Sequence, residues 1–239
     1  MHKTDKENLK KLCNFFKILE IHKISDLTAN HVSILSSEKG QFYTNQHKFL
    51  FSEMTPKNIL KVRFYEKRKN ILEKINIAGY QIHRFLHMSK AKPGAILHSH
   101  SVNAVAISCL KDGFIENLNQ SSMRFYKKIK YVDFGSMAIN EKIGLDIAKV
   151  VDENTSLIIL KNHGNIILAK TIEELHHLTF HFEKCCEIQL KTVNSKSKYN
   201  SVSHKIALHT SKQHTHFGPV GKMSWDASIR KLKSLNKKI

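Results

Sequence analysis

No apolar run in this chain approaches the ~20 residues that a membrane helix needs. The longest, Leu157 to Leu160 and Ile166 to Ala169, are far shorter, so no membrane span is expected. The opening residues, MHKTDKENLKKLCNFF, hold no apolar stretch of the kind a secretory signal requires. Cysteine is sparse too. Cys13, Cys109, Cys185 and Cys186 show no CxxC spacing and read as reduced thiols, which together with the missing signal points to a cytoplasmic protein. Acidic residues are few, 20 against 39 Lys and Arg, which leaves a formal charge of +19. That excess is spread over nearly every segment, with small clusters at Lys67 to Lys69, Lys127 to Lys130 and Lys231 to Lys238. No nucleic-acid module accompanies it, so a specific nucleic-acid partner is not expected.

What is present suits one globular unit. The 239 residues are 41% hydrophobic, enough to bury a single core. Linker-like composition occurs only around Ser195 to Ser203, which sets residues 1–195 as the domain and 196–239 as a C-terminal appendage closing on it. Apolar residues at Leu9, Leu12, Cys13, Phe16 and Leu19 mark one face of a helix over Lys6 to His22. Short strands are expected at Val32 to Leu35, Gln41 to Thr44 and Ile59 to Tyr65. A helix over Ala78 to Ala91 stops before Pro93-Gly94, and a strand at Ala95 to His98 leads into a helix over Val102 to Leu110. The alternation repeats with a helix from Asn140 to Val151 and strands at Thr155 to Leu160 and Asn165 to Ala169. Thr171 and Glu174, spaced as a capping box, open a long helix to about Val193.

The chemistry-bearing residue is histidine, of which there are 16. In His98-Ser99-His100 two imidazoles lie two residues apart at a strand end, where the period of two sends both to one face. A working zinc site takes about three protein ligands and keeps one open position. His163, on the tight turn Asn162-His163-Gly164, is the best third donor. His177 and His181, at i and i+4 of the long helix, form a lesser pair. His214-Thr215-His216 reads as a solvated polar segment.

With these residues assembled, the chain resembles the class II aldolase/adducin family. The likeness runs through Asp26 to Ser33, Ala78 to His83, Pro93 to Ser101, Met123 to Tyr126, Leu160 to Gly164 and the Trp225 segment, with HSHS and NHG in order about 65 residues apart. It implies a three-layer α/β/α sandwich around a central mixed, largely antiparallel sheet. It also implies zinc on His98, His100 and His163, a homo-oligomer that is tetrameric in the sugar-phosphate aldolases, and a lyase that stabilises an enediolate of a small carbonyl or hydroxy compound. The family's aldolases carry a glutamate about nineteen residues before the first metal histidine, and here that position is Gly79. Ile77 and Ala78 replace the serines that bind substrate phosphate. His83, in the Ala78 to His83 segment, becomes the expected proton carrier, with His87 packing behind it. The other reading is a non-catalytic adducin-like head used for self-association or protein binding, with the actin cytoskeleton as partner by family analogy alone.

Overall fold

The structure, a computed structural model, describes residues 2–111, 113–135, 139–215 and 220–236. In chain order the elements are α1 (Lys3–Ile21), β1 (His31–Leu35), β2 (Gln41–Asn45), β3 (Ile59–Arg63), α2 (Lys69–Leu72), α3 (Ile77–His87), β4 (Ala95–Ser99), α4 (Val102–Ser108), β5 (Ile129–Val132), α5 (Glu141–Lys149), β6 (Leu157–Leu160), β7 (Gly164–Ala169), α6 (Ile172–Asn194), α7 (His204–Gln213) and α8 (Lys222–Asn236). Among the described residues no helix is long and apolar enough to cross a membrane.

The strands form one seven-stranded sheet in the order β3-β2-β1-β4-β7-β6-β5. Every neighbouring pair is antiparallel except β5 and β6, so the sheet is mixed and largely antiparallel, as expected. Alternation along each strand splits the apolar side chains between two faces. Val32, Ile34, Ala95, Leu97, Ile167 and Ala169 pack with α1, α4, α6 and α8 on one side. Ile96, Ile158, Leu160, Ile166 and Leu168 pack with α3 and α5 on the other. Helices therefore cover both faces, which gives the α/β/α layering.

Several boundaries move. The first helix starts earlier, at Lys3, because the His2 side chain accepts from Thr4 N. The helix expected to reach Ala91 ends at His87, and α4 stops at Ser108. Thr171 does cap α6, its Oγ1 accepting from Glu174 N, but the Glu174 carboxylate accepts from Lys170 N, one residue short of a reciprocal box. The edge strand β5 was not anticipated, because its sequence, IKYV, is half polar and overlaps a lysine cluster.

The C-terminal appendage after Ser195 contains two helices, α7 and α8. Trp225 and Leu232 are buried in the same core as α1 and α6, with the indole edge-on to His176 at 5.6 Å between ring centroids. His214 is the C-cap of α7, half-buried, and its Nε2–H donates to Gln120 O at 3.1 Å, so it departs from the solvated reading. His216 lies outside the described residues.

Candidate metal centre

The sheet brings His98 and His100 to the same spot as His163 by register. β4 pairs with β7 so that Ser99 faces Asn165, which puts the residues just beyond each strand side by side. The backbones run so close here that a Cβ on Gly164 would sit 2.5 Å from Ser99 O. Only glycine fits that approach, and Asn162, at φ 58°, supplies the left-handed residue that completes the turn. Past the strand, Ser101 Oγ and Asn103 Nδ2 donate to the Glu183 carboxylate of α6 at 2.5 and 2.7 Å and tie down the loop carrying His100.

The three imidazoles converge. His100 Nε2 lies 2.9 Å from His98 Nε2 and 3.1 Å from His163 Nε2. The ligand atoms of all three lie within 4.8 Å of one another, the one such metal-competent group among the described residues. His98 is buried, while His100 and His163 are half-buried, so the cluster opens to one side. Phe134 stands edge-on to His163 at 6.1 Å.

Tautomers follow from the partners. His98 Nδ1–H donates to Asn165 O at 3.0 Å, and His100 Nδ1–H donates to the Asp26 carboxylate at 3.1 Å. Each ring, when neutral, then has its proton committed outward and a lone pair on Nε2. Two lone pairs 2.9 Å apart repel, and a cation between them relieves that repulsion. The donor set therefore fits a divalent transition ion: three imidazoles, two with acceptors on their outer nitrogens, and an open side. Burial first, then the neighbouring imidazoles of His31, His100 and His163, hold His98 well below the usual histidine range. Burial and the His100 ring push His163 down to about 4. Both are unprotonated at neutral pH, the state a metal requires.

A second row of polar groups lies where α3 crosses β1 and β4. His31 pairs with His98 across the strands, and their rings lie 4.8 Å apart. The alternation His31-Val32-Ser33 turns His31 and Ser33 toward α3, whose His83 and His87, one turn apart, face them. His87 Nδ1–H donates to Pro93 O at 2.9 Å. A carbonyl only accepts, so the rest of the row is fixed in order. Ser33 Oγ–H donates to His87 Nε2 at 2.8 Å, His83 Nδ1–H donates to Ser33 Oγ at 2.5 Å, and His31 Nδ1–H donates to His83 Nε2 at 2.7 Å. His31 Nε2 is left as a lone pair. All three histidines are buried, which drives the His31 and His83 pKa values well below the ordinary one and that of His87 to about 4.

His83 thus lies behind the three-histidine cluster, hydrogen-bonded to His31 and close enough to His98 for the charge of that ring to act on it. A Cβ on Gly79 would meet His31 Cδ2 and Nε2 at 2.7 Å. The imidazole of His31 fills the space that a side chain at position 79 would enter. His31, Ser33 and Asp26 were not singled out from the sequence, although the period-two pattern from His31 to Ser33 facing the His83/His87 pair carried the signal. The other weighed pair, His177 and His181, lies on α6, at 4.4 Å between ring centroids, and no third ligand joins it among the described residues.

Comparison with known proteins places the fold and the family. Residues 10–190 match the family model described as Class II Aldolase and Adducin N-terminal domain. A solved aldolase II superfamily protein from Pseudomonas syringae superposes with a TM-score of 0.85 at 24% identity, covering 98% of this chain and 95% of that one. An L-fuculose 1-phosphate aldolase from Glaciozyma antarctica gives 0.80 at 21% identity, covering 97% and 90%. Human beta-adducin is 23% identical over 95% of this chain, which spans 32% of the adducin. With the family model matched over three quarters of the sequence, the chain belongs to the class II aldolase and adducin N-terminal domain family.

Proposed function

We propose that this chain is a metal-dependent lyase of the aldolase type. It binds one divalent ion, zinc by preference, on His98, His100 and His163, and acts on a small carbonyl or hydroxy compound. The observation that carries the reading is the pair of Nε2 lone pairs held 2.9 Å apart by outward-committed Nδ1 protons. A bound divalent cation supplies Lewis-acid stabilisation of negative charge developing on substrate oxygens. Asp26 and Asn165 orient the two imidazoles, and the loop held by Glu183 keeps His100 in place. No carboxylate stands at position 79, so the proton acceptor is His31 through its Nε2, with His83 as the positioning residue that fixes its tautomer. Burial keeps both rings neutral, which leaves the His31 Nε2 lone pair open, while it lowers the basicity of that nitrogen.

The test is elemental analysis of gently purified protein, followed by turnover on a panel of small hydroxy-carbonyl compounds. One zinc per chain, its release on His98→Ala and loss of turnover with chelator are expected. Metal-free protein with an intact fold overturns the reading.

A second reading is favoured by the same glycine: with the carboxylate gone, the fold serves as an adducin-like head for self-association or protein binding, with the metal structural. Turnover absent across the panel, together with a stable homo-oligomer of tetrameric size, supports this second reading. Under this reading the actin cytoskeleton is a partner by family analogy alone. The free thiols at Cys13, Cys109, Cys185 and Cys186 suit a reducing, cytoplasmic setting for either role.

A further inference from the structure

Along the β5 edge of the sheet lies a cavity of about 450 Å³ that shares no lining residue with the three-histidine cluster. Its volume falls in the range of small-molecule sites, roughly 300–1,000 Å³. Four aromatic rings wall it, those of Phe114, Phe125, Tyr126 and Tyr131. Phe114 and Tyr131 stand at 80° with 4.8 Å between ring centroids, so two of the walls meet in a corner. Phe125 is fully buried, whereas Phe114 is 53% exposed. A ring left so open on the lip of a cavity has apolar surface to give up to a ligand.

The loop that presents Phe114 is held in place before any ligand arrives. Gln189, buried on α6, donates from Nε2 to Phe114 O at 2.6 Å and accepts from Glu116 N through Oε1 at 2.9 Å, so one side chain clamps two peptide groups. Between them Ile115 N donates to the Tyr131 phenol oxygen at 3.1 Å. Val202 N donates to Asn117 O at 2.8 Å, which lays the connection between α6 and α7 along the same cavity. A site ordered in advance loses less entropy on binding.

Charge then narrows the ligand. The lining holds one carboxylate and one ammonium, those of Glu116 and Lys127. The Tyr199 hydroxyl donates to Glu116 Oε1 at 3.2 Å, and Oε2 has no hydrogen bond among the described residues. The exposed Lys127 ammonium makes neither a hydrogen bond nor an ion pair there. The two do not pair with each other, so the cavity keeps one unmatched charge of each sign beside its aromatic wall. A simple cation or a simple anion would answer only one of them. A zwitterion that carries a ring answers both charges and the wall.

From this arrangement we infer that the cavity binds an aromatic α-amino acid, with its ring against Phe114 and Tyr131, its ammonium on Glu116 and its carboxylate on Lys127.

The experiment is calorimetric titration of the full chain with L-phenylalanine at about 0.15 M NaCl, where diffuse attraction between exposed charges is screened. Three fragments run beside it: phenylpropanoate lacks the ammonium, phenethylamine lacks the carboxylate, and L-alanine lacks the ring. Saturable 1:1 binding of L-phenylalanine is expected, at least tenfold tighter than any fragment and at least tenfold weaker in Phe114→Ala and in Glu116→Gln. An α-amino acid also chelates metal ions, so the affinity must be unchanged in His98→Ala. If the thermal melt of Phe114→Ala or Glu116→Gln shows a lost fold, Lys127→Gln, at an exposed position, provides the same readout from the carboxylate end. Absence of saturable binding, a fragment that matches L-phenylalanine, indifference to these substitutions, or loss of binding in His98→Ala overturns the inference.

Discussion

Replacing a glycine inside a helix by alanine ordinarily stabilises a protein by about 1 kcal/mol. Gly79→Ala should do the opposite. The added Cβ would stand 2.7 Å from two atoms of the His31 ring, and that ring cannot slip aside cheaply. It is buried, bonded to His83 at 2.7 Å and packed on His98 at 4.8 Å. Overpacking of this kind costs ~1–3 kcal/mol, and displacing the ring also forfeits its hydrogen bond to a buried partner, ~1 kcal/mol more. Set against the helix gain, the net is a destabilisation of about 2 kcal/mol, a Tm fall of roughly 4–8 °C for a chain of this size. The same substitution in a His31→Ala background meets open space and should recover its ordinary stabilising sign. Thermal or urea unfolding of the four proteins of this double-mutant cycle, all in chelator, gives a coupling near 3 kcal/mol. Additive effects, or a wild-type background in which Gly79→Ala stabilises, would refute the idea that His31 occupies the position-79 space.

Three other outcomes are expected. Asp26→Ala removes the acceptor of His100 Nδ1–H and should weaken zinc binding about tenfold, read by competition with a chromophoric chelator; unchanged affinity sinks the orienting role. His87 and His176, each held near pKa 4 by burial, bind protons more weakly folded than unfolded, so full stability is present above the ordinary value near 6.5 and is lost as pH falls toward 4. Each adds a slope of about 1.4 kcal/mol per pH unit in that window, and a urea midpoint that stays flat between about pH 7 and about pH 5 contradicts this assignment. Trp225→Ala should cost ~3–5 kcal/mol, because the indole is buried in the main core; a Tm loss of only a degree or two would mean that α8 merely rests on the surface.

The sheet was largely legible because its strands alternate cleanly and its turns carry Pro93-Gly94 and Asn162 to Gly164. The edge strand β5 was not, since its pairing with β6 is decided by tertiary register rather than by pattern. The helices after Ser195 were hidden by polar composition, and only Trp225 hinted that this segment is packed. At the site, HxH spacing and a glycine-supported turn were enough to bring three histidines forward. His31 and Ser33 stayed in shadow because each is unremarkable alone, and their meaning arises only where α3 lies across β1 and pairs them with His83 and His87. The tautomers were beyond sequence altogether, since a backbone carbonyl, Pro93 O, sets them.

That carbonyl has an electrostatic effect across the sheet. Every N–H and O–H in the row from His31 to His87 points the same way, so the small dipoles add head to tail instead of cancelling. The electron-rich end of this chain of dipoles is His31, beside the three-histidine cluster, and its electron-poor end is discharged into the peptide group at Pro93. In a protein poor in carboxylates, this row of neutral groups adds its negative end to the single Asp26 carboxylate beside the three-histidine cluster.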